Sequence, residues 1–152
     1  MTRTKTPRRD TVDPHTLAAA IAAVRAASTL TTAAQGRLAA GDTLTKGDAS
    51  PVTVADFGAQ AVVCATLTRR LGTVSVVGEE DATDLRGDGS GLLDGVTSLV
   101  GTAIGRDASP SEVVDWISIG SADATGGRYW TLDPIDGTKV SCAATSMRSR
   151  SR

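Results

Sequence analysis

Apolar positions along the chain recur mainly at helical spacing, with three short β-branched or aromatic stretches beside the helical segments. Asp13-Pro14 reads as an N-cap followed by proline at the first helical position. Leu17, Ile21, Val24 and Ser28 then fall on one face of a long Ala-rich helix that ends near Gly41. Lys46 to Val54 reads as a polar loop entering an extended segment, because Ser50-Pro51 excludes helix and Val52-Thr53-Val54 is β-branched. A second helix is expected over Ala55 to Leu71, stopping at Gly72, with Asp56 in its first turn, where the helix dipole favours a carboxylate. Val74, Val76 and Val77 predict a short buried strand that runs into Gly78-Glu79-Glu80-Asp81. Leu92, Val96, Leu99, Val100 and Ile104 keep helical spacing, and Ser109-Pro110-Ser111-Glu112 is a capping box that opens a helix through Trp116 to Ile119. A turn at Gly126-Gly127 leads into a strand from Arg128 to Leu132, which ends at Asp133.

A chain of 152 residues is bounded to one domain or part of a larger one. With 40% hydrophobic but only 3% aromatic residues, its core must be built from Ala, Val and Leu. No apolar run approaches the roughly 20 residues of a membrane span, and the basic start lacks the hydrophobic stretch of a secretory signal, so a soluble, cytoplasmic protein is expected, with a plastid or mitochondrial location as the alternative. Cys64 and Cys142 have neither disulfide-framework nor zinc spacing. The net charge of -1 hides a division: residues 1–50 hold 7 Lys/Arg against 4 Asp/Glu, residues 51–139 hold 6 against 13, and residues 140–152 hold 3 against none. An acidic middle disfavours a nucleic-acid backbone partner and suits hard cations. His15, the only histidine, is assigned a solvated position and no role.

The richest chemistry lies in Trp130-Thr131-Leu132-Asp133-Pro134-Ile135-Asp136-Gly137-Thr138. A strand delivers Asp133 to a turn set by Pro134, and Asp136 returns three residues later, so two carboxylates and the Ile135 carbonyl can converge on one point. Such hard oxygens suit Mg²⁺. The N–H groups of Gly137 and Thr138 at a following helix start would suit a phosphate beside it. Glu79, Glu80 and Asp81 at a strand end are costly neighbours unless a cation or solvent separates them. The Gly-rich segment from Leu85 to Gly95 is expected to be a flexible surface loop, since no Lys-Ser or Lys-Thr follows to make it a nucleotide cradle.

Ser50-Pro51-Val52-Thr53-Val54-Ala55-Asp56, Gly78-Glu79-Glu80-Asp81 and Asp133-Pro134-Ile135-Asp136-Gly137-Thr138, taken together and in order, resemble the lithium-sensitive, magnesium-dependent phosphatase superfamily of inositol monophosphatase. Within it, Val54 to Ala61, Glu79-Glu80-Asp81 with Asp84-Leu85-Arg86, and Gly127-Arg128-Tyr129-Trp130 look most like the 3′(2′),5′-bisphosphate nucleotidases, which link to sulfur assimilation. The resemblance spans roughly Leu17 to Lys139. It implies hydrolysis of adenosine 3′,5′-bisphosphate to AMP and phosphate by metal-activated water, with two or three Mg²⁺ as cofactors and a small phosphorylated nucleotide as partner. It further implies Glu79, Asp133, the Ile135 carbonyl and Asp136 as metal ligands, and Asp56, Glu79 and Thr138 as catalytic residues. Gly137 and Thr138 amides would hold the phosphate, with Lys46 near the mouth of the site and Glu80 beside it.

The fold implied is the N-terminal portion of the layered α/β (αβαβα) sugar-phosphatase architecture, with two long helices on an incomplete, mostly antiparallel sheet. Residues 1–12 are expected to be a disordered start, 13–139 the phosphatase portion and 140–152 a basic tail foreign to the family. The segments that complete the sheets, the adenosine pocket and a further aspartate ligand have no counterpart in this sequence. An inactive family fragment and an inositol phosphate phosphatase therefore stand as alternatives. The unpaired sheet edge is expected to favour self-association.

Overall fold

The computed structural model describes residues 12–40, 50–86, 91–125 and 127–134. Its elements, in chain order, are α1 (Pro14–Ala39), α2 (Pro51–Leu71), β1 (Val76–Gly78), a 3₁₀ turn (Ala82–Arg86), α3 (Leu92–Ile104), α4 (Pro110–Ser118) and β2 (Trp130–Leu132). The centre is α2, which touches α1, α3 and α4. Val54, Ala55, Phe57, Ala59, Ala61, Val62, Val63, Cys64 and Leu67 are all buried, so this helix is apolar nearly all round and is enclosed on every side. One core cluster joins it to α1, α3 and α4, and a second joins its C-terminal half to α1 and β1, with Trp130 and Leu132 packed alongside.

Local grammar explains the helix ends. The Asp13 carboxylate accepts from the backbone N–H groups of His15 and Thr16, both at 3.0 Å, and from the Thr16 hydroxyl, and these bonds, led by the hydroxyl, lower its pKa. At α4 the Ser109 hydroxyl accepts from Glu112 N–H at 3.2 Å, while Glu112 accepts from Ser109 N–H at 2.9 Å, closing the expected capping box. Arg106 binds Glu112 at 2.9 Å and lies over the Trp116 ring; its hydrogen bond is the leading cause that pulls the Glu112 pKa down to about 2. Gly72, at φ +79, ends α2 and bonds its N–H back to Thr68 O at 2.9 Å. Exposed His15 is not wholly idle: its Nε2 lies 3.0 Å from the Arg70 carbonyl, one of the orphan acceptors at the end of α2.

Four expectations need correction. First, α2 begins at Pro51, with Ser50 as N-cap accepting from Thr53 N–H at 3.1 Å. Proline at the first helical position has no N–H to lose and a preset φ, so Ser-Pro opens this helix, and burial of Val54 outweighs its β propensity. Asp56 consequently sits in the second turn, beyond the first-turn amides. Second, Leu17, Ile21, Val24 and Ser28 face solvent, while Ala19, Ala23, Leu30 and Ala34 are buried. Small alanines let α1 approach α2 closely: a Cβ added at Gly58 would lie 3.0 Å from Leu30 Cδ1. The larger side chains could not fit that seam.

Third, β1 and β2 pair in parallel, with Val76 opposite Trp130, Val77 opposite Thr131 and Gly78 opposite Leu132, in place of the mostly antiparallel sheet expected. The connection between them is long and carries α3 and α4, which is the kind of crossover parallel strands require. An antiparallel bridge from Val77 to Ser121, with Gly78 N–H donating to Gly120 O at 2.7 Å and Ala122 N–H to Val76 O at 3.0 Å, covers the other edge of β1. Val74 precedes the strand instead of belonging to it. Fourth, α1 is long and apolar enough to cross a membrane by length and composition alone, a test that core helices and N-terminal signal sequences also pass; only 22% of its apolar stretch is buried, and Arg25 and Arg37 interrupt it. Of the expected glycine-rich loop, Leu85 and Arg86 belong to the 3₁₀ turn and residues 92–95 to α3, while residues 87–90 lie outside the described residues, as do 1–11 and 140–152.

The two faces of α1 and α2 give a direct test. Leu67→Ala, in the core, should cost about 3 kcal/mol, whereas Ile21→Ser, on the exposed face, should change stability by roughly 0.5 kcal/mol or less. Urea unfolding of both variants checks this, and a larger loss from Ile21→Ser would place the core on the other face of α1.

Candidate functional site

Parallel pairing has a direct chemical consequence. Because Gly78 and Leu132 are partners at the last register position, Glu79 and Asp133 leave the same end of the ribbon side by side. The carboxyl ends of parallel strands are where α/β proteins place their sites. Asp56 reaches this end from α2. Its carboxyl is pushed up to about 6, first by burial and then by the negative charges of Glu79 and Asp133. Glu80, also half-buried, is pushed up to about 7 by burial, then by Asp56, Glu79 and Asp84. Glu79 and Asp133 are themselves exposed. Residues from α2, the end of β1 and the end of β2 therefore share one acidic, oxygen-rich environment.

Of the residues singled out by sequence, Glu79 and Asp133 thus act on Asp56, and Asp56 and Glu79 act on Glu80. Lys46, Ile135, Asp136, Gly137 and Thr138 lie outside the described residues. Among the described residues no three acidic, His or Cys side chains form a group that could hold a metal ion. The donor chemistry nevertheless fits a hard divalent cation: every group is a carboxylate, and mutual repulsion is relieved by positive charge between them. The thiol of Cys64, enclosed in the core, is pushed up to about 12 by burial and is inert at neutral pH.

One polar residue of this region has no role in the sequence reading beyond its place in the Val54 to Ala61 motif. Gln60, on α2 one turn after Asp56, is fully buried and bonded to the backbone of Glu80. A lone amide within Ala59-Gln60-Ala61-Val62-Val63-Cys64 is the available signal.

Carboxylates gathered at the ends of two parallel strands, backed by a buried helix, mark the candidate site of an α/β protein. The profile of the inositol monophosphatase family matches residues 13–140, and the chain belongs to that family, which is generally metal-dependent. Its helices and ribbon are the N-terminal portion of the family's α/β phosphatase fold. The chain is 41% identical over 134 residues to 3′(2′),5′-bisphosphate nucleotidase 1 of Arabidopsis thaliana, covering 81% of this chain and 38% of that protein. It is 42% identical over 134 residues to the 3′(2′),5′-bisphosphate nucleotidase of Schizosaccharomyces pombe, covering 79% and 38%. Against the enzyme of that name from Oryza sativa it is 38% identical over 134 residues, covering 81% and 37%. The chain therefore spans about two-fifths of the length of these relatives.

Burial of Asp56 and Glu80, reinforced by the neighbouring carboxylates, makes metal-free stability depend on pH. Asp56 and Glu80 hold their protons in the native state over a range where the unfolded chain has released them, so their contribution is intact below the ordinary carboxylate range. It is lost as pH rises through about 6 for Asp56 and about 7 for Glu80. In EDTA, Glu80→Gln should flatten the fall in melting temperature between pH 5 and pH 8 and gain roughly 1 kcal/mol or less at the upper end, the partial exposure of the group trimming the effect. Thermal melts across that range decide it; an unchanged slope would remove the proposed repulsion.

Proposed function

We propose that this protein is a Mg²⁺-dependent phosphomonoesterase that hydrolyses adenosine 3′,5′-bisphosphate to AMP and phosphate. The observation that carries the reading is the sharing of one acidic environment by Asp56, Glu79 and Asp133, drawn from three separate segments. The names of the relatives supply the substrate class. Glu79, Asp133, Asp136 and the Ile135 carbonyl would hold the cation. When bound, Mg²⁺ supplies positive charge against the phosphate oxygens and raises the acidity of nearby water.

The remaining chemistry belongs to the chain's own groups. Asp56, with the Thr138 hydroxyl, orients the attacking water and takes its proton. The Gly137 and Thr138 amides hold the phosphate in line. The water oxygen forms a new bond to phosphorus, the bond to the ribose 3′-oxygen breaks, that oxygen leaves as the hydroxyl of AMP with a proton from solvent, and Asp56 returns to solvent the proton it took. Water attacks directly, and no phosphorylated side chain is formed.

Phosphate release from adenosine 3′,5′-bisphosphate by the purified chain tests this reading, with inositol 1-phosphate as a parallel substrate. Release should require Mg²⁺, stop with EDTA, favour the nucleotide and fall by about 100-fold or more in Asp56→Asn and Asp136→Ala. Equal or faster release from inositol 1-phosphate would move the substrate to the inositol phosphates. No release from either, at micromolar protein and millimolar Mg²⁺, would overturn catalysis by this chain.

A further inference from the structure

Among the described residues, Gln60 is one of two buried polar residues, Thr66 being the other. Its side-chain amide is held by directional bonds: Oε1 accepts from Glu80 N–H at 3.0 Å, and Nε2 donates to Glu80 O at 2.7 Å and to Ile117 O at 3.1 Å. The amide thus stands in for a neighbouring strand, pairing both backbone groups of the residue two places beyond the end of β1. It also ties that residue to the last turn of α4. Two glycines make room for it. A Cβ at Gly78 would collide with Oε1, and one at Gly120 with Nε2.

Placement gives this clamp its chemical meaning. Asp56 and Gln60 are four residues apart on α2 and project from the same face. Whatever fixes Glu80 to Gln60 therefore also fixes the Glu79-Glu80 segment relative to Asp56. Nothing in the apolar packing of α2 would do so, since Ala and Val surfaces are non-directional. We propose that Gln60 is a positioning residue whose buried amide sets Glu79 and Glu80 against Asp56 and thereby sets the affinity of the acidic site for its divalent cation. The inference rests on the metal-phosphatase reading above, and groups that orient metal ligands commonly matter 10–100-fold in affinity.

The test compares the wild-type chain with Gln60→Met, which keeps length and apolar volume but makes none of the three bonds, and with Gly120→Ala, which displaces the amide while leaving Gln60 in place. Leu67→Ala serves as a destabilised control in the same helix, remote from the clamp. Two readouts are taken: hydrogen exchange of the Glu80 amide without metal, and Mg²⁺ binding by calorimetry. Both clamp variants should raise Glu80 exchange by tenfold or more relative to the core amides of α2 and weaken Mg²⁺ binding by about tenfold, whereas Leu67→Ala should leave Mg²⁺ affinity unchanged. If Gln60→Met does not fold, Gly120→Ala alone carries the comparison. Faster Glu80 exchange with unchanged Mg²⁺ affinity would overturn the positioning role while leaving the metal reading intact. A wild-type chain that binds no Mg²⁺ would overturn the metal reading and the positioning role together, and the exchange data would still report whether the clamp exists.

Discussion

Everything in this fold depends on the requirement that α2 be covered on all sides. A helix with Val54, Phe57, Val62, Cys64 and Leu67 buried around its circumference cannot lie on a surface. α1 covers one flank through alanines, α3 and α4 another, and the β1–β2 ribbon closes the C-terminal half through Val76, Trp130 and Leu132. With only 3% aromatic residues, the chain fills this core by bringing helices close together instead of by inserting large side chains. Gly58 against Leu30 is the clearest instance.

The same enclosure concentrates charge at one end of the ribbon. α2 delivers Asp56 there, and parallel pairing delivers Glu79 and Asp133 together. Burial and proximity raise the pKa values of Asp56 and Glu80, which means that folding without a counter-charge opposes their ionised forms. The fold tolerates this because the carboxylates remain partly exposed to water. Titratable groups held at perturbed pKa values by burial and by one another are the mark of a candidate functional site.

Sequence pattern reveals those features whose cause is local and obscures those whose cause is a distant partner. The capping box at Ser109 and Glu112, the Asp13 cap and the stop at Gly72 depend on a few neighbouring atoms, and each is legible. The buried face of α1 is not, because Leu17, Ile21 and Val24 form the more hydrophobic stripe while the seam with α2 selects for small size. Ser50-Pro51 misleads for a related reason, as the same two residues can close an extended segment or open a helix, and only the burial of Val54 and Phe57 beyond them decides. The carboxylates of the candidate site are visible as motifs. Their approach to one another depends on the crossover through α3 and α4, which no local window contains.

That dependence also explains why an amide occupies a core otherwise made of alkyl groups. Helices packed through Ala and Val have shallow, interchangeable ridges, so α2 could rotate or slide by a small amount against the ribbon at little cost. A site built from carboxylates on α2 and on the strand ends would not survive such a shift, because cation coordination is sensitive to fractions of an ångström. Three directional bonds from one buried amide remove that freedom. Leaving Glu80 N–H, Glu80 O and Ile117 O unpaired beside the core would cost about 1–3 kcal/mol for each group truly shut off from water, so a displaced register is penalised in proportion to how many of them it strands. Gly78 and Gly120 complete the argument, since a side chain at either position would fill the space the amide needs. The apolar core thus supplies most of the stability, and one polar group within it fixes the geometry that the acidic site requires.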